Sequence, residues 1–401
     1  MLDFQEAQRR LSEAGPAPSR HEQRPLAELA GRILAQDLVA RQDAPPADNS
    51  AMDGYALRLQ DYAPGRILPV QERCYAGHQP APLQPGQATR LFTGSLIPEG
   101  ADTVMMQEYC RETDAGVEFL EAPVAGSHIR RQGEDSAIGS VLIEAGTVLN
   151  AAHIGLLASQ GYTDAAVFPR VRIGILTTGD ELVPPGQPRQ PSQIYNSNGA
   201  MLAALAAGMN AEISHVLHAI DREDALTDAF RTLLRDSDLV LSVGGVSVGE
   251  RDLVKPTLEK LGGSLDLWKV KMKPGKPVAL ANVDGKPVIG LPGNPVSAFA
   301  VFTVLVTPLL RRMQGNATLF PVTGLYPLRA DQPYNDSREE FLRVQYRPDE
   351  SGPALHPYAH QGSGMLRALP WASGLAQIPP ASGTGDGAYV RYYDFAHWLR
   401  P

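Results

Sequence analysis

DLVLSVGGVSVGERDLVK, residues 238–255, is the stretch that decides the fold of this chain. Asp238 to Val243 read as an apolar strand, which runs into a loop of glycine and serine. A helix is expected to open at Asp252. Gly244, Gly245 and Gly249 reach backbone angles closed to other residues, so main-chain N–H groups can converge on one point. The helix N-terminus that follows adds unpaired donors and partial positive charge. Such a turn holds a phosphate. Asp252 either caps the helix or holds a divalent metal over that phosphate. Taken alone, the same letters also describe a tight strand-to-helix connection with a capping aspartate.

Around this stretch, strands and helices alternate. VRIGILTTG from Val171 is a strand leading into a loop, and Ser197 to Gly208 a helix with Ser197 as its N-cap. ISHVLHAI is a strand, Arg222 to Asp236 a helix, and LWKVKM, PVALA and PVIGL further strands before a helix after Pro295. This is the grammar of a doubly wound α/β domain, whose ligands sit at the carboxyl ends of its strands. The loops after Leu176, Val243 and Leu291 lie at such ends.

Upstream, residues 25–40, PLAELAGRILAQDLVA, carry helical periodicity. From about 61 to 150 the texture is short β-type runs between Pro and Gly: RILPVQ, ATRLF, DTVMMQEY, GVEFL and VLIEAG. Ala151 to Gln160 returns to helix, and 319–401 is again β-textured.

Composition narrows the function classes. The 401 residues carry a net charge of −8 and a pI near 5.6, which argues against general nucleic-acid or anionic-membrane binding. An anion site must therefore be a local concentration of donors. Cys74 and Cys110 have no metal-type spacing and make no disulfide framework. MLDFQEAQRR lacks the basic start and apolar core of a signal peptide. Val296 to Leu310 is apolar but short for a bilayer and reads as a buried helix. A cytoplasmic protein is expected, with no membrane and no nucleic acid among its partners.

Several clusters point to chemistry, each with a plainer alternative. Pro292, Gly293, Asn294 and Pro295 form a rigid wall for a ligand, or simply a good helix start with Asn294 as cap and Pro295 at the first helical position. Asp180 and Glu181 bind a cation past a strand end, or sit in solvent. Asp221 joins them, or caps the next helix. Trp268 to Lys273 alternate strictly, so strand geometry puts Lys269, Lys271 and Lys273 on one face. With Pro274, Gly275 and Lys276 they bind an oxyanion, or protect a sheet edge. In the first half, Asp53-Gly54 is a turn signal, the stretch holding Thr93 also places small or acidic residues beside turns, and Asp135 and Glu134 taken singly read as ordinary surface acids. No nucleophile elbow is read in the α/β part.

Together, DNSAMDGYAL, TGSLIPEGADTVMMQE, RRQGEDSAIGSVL, LTTGDELV, IYNSNGAML, SVGGVSVGERD, KPGKPVALA and GLPGNPVSAF resemble the molybdopterin molybdotransferase family, related to the E domain of gephyrin. They run from residue 48 to 299 in the family's order. The resemblance implies a multidomain α/β plus β chain in four parts. These are an elongated domain from 1–40 and 140–170, an inserted β-rich domain at 41–139, a molybdopterin-binding α/β domain at 171–318 resembling molybdopterin adenylyltransferases, and a small C-terminal β-barrel at 319–401.

It further implies a homodimer with a composite active site, fed by a molybdopterin adenylyltransferase. The reaction is magnesium-dependent cleavage of adenylylated molybdopterin, with molybdate insertion into the dithiolene, giving molybdenum cofactor and AMP. Carried onto this sequence, Asp53, Thr93, Asp135, Glu181, Asp221, Asp252, Lys269 and Lys273 serve catalysis, with Asp252, Glu181 and Asp221 on the metal. Gly244, Gly245, Ser247, Gly249, Lys276, Pro292 to Pro295, Arg343 and Ser363 hold the substrate.

Overall fold

The computed structural model describes residues 1–245, 253–350 and 352–401, with residues 265–268 by their backbone alone. The chain divides into two compact units. One comprises residues 1–36, 145–154 and 164–401, the other residues 37–144 and 155–163.

The first unit contains a six-stranded sheet in the order Glu212–Ala219, Arg172–Thr178, Leu239–Val243, Lys286–Leu291, Pro277–Val283, Ser264–Lys269. The first four strands are parallel, and the last two run antiparallel as a meander. Period-two alternation divides each central strand between two cores. Leu239, Leu241 and Val243 pack with the Ser197–Gly208 helix and the helical run that begins at Pro295. Val240 packs with Leu226, Phe230 and Leu233 of the Glu223–Asp236 helix and with Val254 and Leu258. Helices therefore cover both faces, as expected of a doubly wound sheet.

Register places the site. Thr177 pairs with Val243, Val243 with Leu291 and Thr178 with Ala219. The carboxyl ends of the four parallel strands thus align along one edge. Strand order reverses between Arg172–Thr178 and Leu239–Val243, which makes the crevice there the topological switch point. The apolar run Pro295–Gln314 is long enough to cross a bilayer, but 94% of its hydrophobic window is buried inside the protein. It is a core helix of this unit.

The tail is a barrel. Strands Glu339–Asp349, Gly374–Ile378, Tyr389–Asp394 and Gly324–Pro327 follow one another, and Gly352–Pro357 pairs back onto Glu339–Asp349. A bridge between Leu328 and Leu355 closes the circle around Leu342, Val344, Ala376, Ile378 and Val390. The second unit is β-rich, with a four-stranded sheet, Val70–Cys74, Ala88–Leu91, Gly54–Leu57, Thr103–Met106, and a three-stranded one. Tyr55, Leu57, Leu68, Val117 and Phe119 fill its core.

Four expectations are corrected. Residues 25–40 are not a helix: Pro25 ends the strand Glu22–Pro25, and a 3-10 turn, Leu26–Glu28, and a short strand, Leu38–Val39, follow. Gly31 sits at φ 77°. The N–H groups of Gly31, Leu34 and Ala35 donate to Leu149, Thr147 and Ala166, so the buried Leu29, Ile33 and Leu34 enter the core from irregular chain. The cap of the Ser197–Gly208 helix is Asn196, whose side chain accepts from Gly199 N, rather than Ser197. The helix expected at Asp252 is observed as Val254–Lys260. Finally, Trp268 to Lys273 is no single strand. Ser264–Lys269 belongs to the α/β sheet, while Met272–Lys273 pairs with Glu339 and Glu340 in the barrel sheet. Val270 and Met272 are nonetheless buried, so the alternation itself survives.

Candidate functional site

At the switch point, the Thr178 hydroxyl donates to Asp221 Oδ1 at 2.5 Å. The Asp221 N–H in turn donates to Asp180 Oδ1 at 3.1 Å. Asp221 does not cap the next helix, whose N-cap is Arg222 without a side-chain bond. Gly179, at φ 143°, lets Glu181 fold back: a Cβ there would lie 2.5 Å from Glu181 Oε2. Asp180 and Glu181 are exposed, so three carboxylates rim this crevice. Among the described residues, no three His, Cys, Asp or Glu side chains come together as a metal-binding group.

Across the crevice, Gly244 and Gly245 take φ of 94° and 64°, the left-handed region that favours glycine. A Cβ on Gly244 would stand 2.8 Å from the Thr178 carbonyl oxygen. The N–H of Gly244 donates to Leu291 O at 3.3 Å. Ser247, Gly249 and Asp252 lie outside the described residues. The reading that the α/β part holds no nucleophile elbow fails on its own letters, since Gly245 to Gly249, GVSVG, fits the GxSxG pattern. The pattern by itself supplies neither a base nor its orienting partner.

Pro295 occupies the first turn of the helix after Lys286–Leu291, and Asn294 is its N-cap residue, but the Asn294 side chain makes no cap bond. Instead Asn294 Nδ2 donates to Ser363 Oγ at 3.2 Å. Arg343 supports the same loop from inside. It is 1% exposed, its N–H donates to Gln361 Oε1 at 3.0 Å and Nη2 to Gly362 O at 3.2 Å. Burial pushes its guanidinium down to about 10. Lys269, Lys271 and Lys276 are exposed. Lys273 is not a free cation, because its Nζ lies 2.7 Å from Glu340 Oε1 and 3.2 Å from Asp336 Oδ2. Desolvation opposes its charge, but the hydrogen bonds to Glu340 and Asp336 hold the ammonium above its ordinary value.

In the second unit, Asp53 Oδ1 accepts both the N–H and the hydroxyl of Thr93. Gly54 beside it is required, since a Cβ there would meet Met105 O at 2.0 Å. Asp135 sits apart on an exposed turn, its N–H donating to Ala44 O at 2.9 Å. Asp43, which sequence reasoning missed, organises that turn by accepting from Ile138 N and Gln132 Nε2. Asn198 was also passed over, although it lies within IYNSNGAML. A cleft of about 910 Å³ lies at the other end of the α/β strands, beside Arg172, Glu212 and Asp238. Its side chains are largely spent on each other, as in Arg172–Asp238 and Arg32–Glu22.

Three family models cover this architecture. Residues 2–161 match the MoeA N-terminal region (domain I and II), 174–312 a probable molybdopterin binding domain, and 326–395 the MoeA C-terminal region (domain IV). A molybdopterin molybdenumtransferase of Haemophilus influenzae is 40% identical over 317 residues, covering 79% of this chain and 78% of the relative. The chain belongs to the molybdopterin molybdenumtransferase family. Molybdopterin molybdenumtransferase 2 of Mycobacterium tuberculosis is 36% identical over 372 residues, 88% of this chain and 90% of the relative. The molybdopterin biosynthesis moeA protein of Pyrococcus horikoshii OT3 superposes with a TM-score of 0.84 at 28% identity, over 98% of this chain and all of that one. As a molybdenumtransferase family member the chain is a transferase-type enzyme. Asp53, Thr93 and Asp135 fall in the N-terminal match, the glycine turn and Pro292 to Pro295 in the molybdopterin-binding match, and Arg343 and Ser363 in the C-terminal one.

Proposed function

We propose that this chain is a molybdopterin molybdenumtransferase that takes adenylylated molybdopterin and molybdate, releases AMP and leaves molybdenum on the dithiolene sulfurs. The observation that carries the reading is the switch-point crevice, where left-handed Gly244 and Gly245 face the Thr178–Asp221–Asp180 chain across aligned strand ends. A pyrophosphate bridge needs concentrated N–H donors on one side and neutralisation of charge on the other. The Gly244 N–H is spent on Leu291 O, which leaves the Gly245 N–H as the donor offered by the described part of the glycine turn. Thr178 holds Asp221 in one orientation, and Gly179 makes room for Glu181 to fold back.

The hard oxygens of Glu181, Asp221 and Asp252 fit magnesium, which would be held there and would offset the phosphate charge. Exposed Lys269 and Lys276 serve the molybdate dianion as point charges. The Ser363 loop, braced by Arg343 and joined to Asn294, serves the pterin phosphate. Asp53, Thr93 and Asp135 complete the site from the partner of a homodimer. This division of labour follows the four parts 1–40 with 140–170, 41–139, 171–318 and 319–401. A cytoplasmic enzyme supplied by a molybdopterin adenylyltransferase fits these substrates.

The test is direct. The purified chain, given adenylylated molybdopterin, molybdate and magnesium, releases AMP and yields cofactor that activates an apo-molybdoenzyme, whereas ATP and molybdopterin give no adenylylation. Adenylylation without molybdenum insertion would overturn the reading.

A further inference from the structure

Asn196 and Asn198 open the same helix but spend their amides differently. Asn196 uses both ends: Oδ1 accepts from Gly199 N at 3.2 Å and Nδ2 donates to Thr177 Oγ1 at 2.8 Å. Its presence is explained by a capped helix. Asn198 is 7% exposed, and its Nδ2 donates to the Gly293 carbonyl at 2.7 Å. The amide orientation follows, since a carbonyl only accepts. Its Oδ1 is buried, and no donor among the described residues reaches it. A buried, unpaired amide oxygen opposes folding. Leucine, of similar size, would fill the space without that penalty. Stability alone does not account for asparagine here.

What the bond does is orient a peptide. Gly293 and Asn294 are exposed, and a Cβ on Gly293 would meet nothing within 4 Å, so packing does not hold this turn. Asn198 draws the Gly293 carbonyl inward. The Gly293–Asn294 bond is not among the cis peptides, and in a planar trans peptide the N–H points opposite to the C=O. The Asn294 N–H is therefore turned outward, at the head of the Pro295–Gln314 helical run and at the carboxyl end of Lys286–Leu291, beside Gly244 in the sheet. Pro295 has no N–H to offer, which makes the Asn294 donor the one set by this turn.

We infer that Asn198 is a positioning residue: through the Gly293 carbonyl it aims the Asn294 N–H at an anionic oxygen of the substrate, at some expense of stability. This rests on the proposed reaction, with the pyrophosphate bridge of adenylylated molybdopterin as the anion.

The test is Asn198→Leu in the full chain, with Asn198→Ala made in parallel to lose the bond without added bulk. We expect a melting temperature for Asn198→Leu equal to or above wild type. For both variants KM for adenylylated molybdopterin rises about tenfold with kcat changed less than threefold. Independently of turnover, inorganic pyrophosphate titrated into ¹⁵N-labelled wild type shifts the Asn294 amide resonance, and does so only weakly in either variant. A lowered melting temperature with unchanged KM would make Asn198 a structural residue and overturn the inference, as would equal Asn294 shifts in variant and wild type. A wild type that answers pyrophosphate but releases no AMP would defeat the proposed reaction while leaving the positioning of Asn294 standing.

Discussion

Thr93 donates both its backbone N–H and its hydroxyl to one oxygen of Asp53, Oδ1, each at 2.7 Å. Two donors on one oxygen favour the ionised carboxylate. The backbone bond, then the hydroxyl bond, hold the Asp53 carboxyl below its ordinary range. Thr93→Val removes the hydroxyl and keeps the N–H. The Asp53 carboxyl should then titrate at higher pH than in wild type, yet still below a free aspartate. If turnover needs the charged form, the acid limb of the pH–rate profile moves up with it. Carboxyl ¹³C NMR titration of both proteins checks this, and identical Asp53 curves would show that the hydroxyl is irrelevant.

Lys273 and Lys269 should part company when each is changed to alanine. Lys273 bridges Asp336 and Glu340, and the Glu340 side chain is only 6% exposed. Removing the lysine leaves that carboxylate buried without its partner. A fully buried pair would cost about 3–5 kcal/mol when broken. Lys273 is 38% exposed, so solvent screening reduces the expected loss to about 1–2 kcal/mol. Lys269→Ala, at an exposed position, should stay within about 0.5 kcal/mol. Urea denaturation separates the two. Molybdate titration then reads function: Lys269→Ala should raise the molybdate requirement with little effect on pterin affinity. Equal weakening of both ligands would mean a general positive field.

The same cluster sets an acid limit. Asp336 is held well below the ordinary aspartate range, first by the Arg338 side-chain bond, against desolvation, and then by the Arg338 N–H and Lys273. A depressed folded-state pKa contributes stability that is present above the unfolded value, 3.8, and is lost as pH falls through the folded one. Asp336→Asn should therefore be less stable than wild type at pH 7, and the gap should close as pH falls below about 4. Lys273 works at the other end. Its raised pKa contributes stability below 10.5 that fades as pH rises above it. Urea midpoints from pH 2.5 to 7 test the acid limb, and a gap constant across that range would remove Asp336 from the account.

How far the letters carried depends on range. The α/β strands were legible because each is a short apolar run bounded by turns, and the edge where they end followed from parallel pairing. Residues 25–40 misled because Leu29, Ile33 and Leu34 recur at helical spacing while the N–H groups of Gly31, Leu34 and Ala35 are taken by Leu149, Thr147 and Ala166, which no local pattern reveals. Alternation gave the faces of Lys269 to Met272 but not the change of sheet at Val270. Asn294 looked like a cap, and its side chain goes to Ser363, 69 residues away. Asp53 and Thr93, 40 residues apart, were paired only through the family resemblance. Asn198 was missed because its role lies in an amide bond to Gly293 that composition and periodicity do not register.

The proposed division of the site between subunits makes a last, sharper prediction. Asp53 belongs to one compact unit, and the glycine turn and Asp221 to the other. If one subunit's Asp53 serves its partner's glycine turn, Asp53→Ala and Asp252→Ala each abolish AMP release as homodimers. Unfolded together and reassembled, they form hybrids in which one cleft carries both lesions and the other carries neither. Random pairing makes about half of all dimers hybrid, each with one intact cleft of two, so about a quarter of wild-type turnover should return. If both acids served one subunit's own cleft, every cleft would keep one lesion and no activity would return. Native mass spectrometry to count the hybrids, followed by an AMP-release assay on the same sample, decides it: hybrids present without activity would place both acids in the same subunit's cleft.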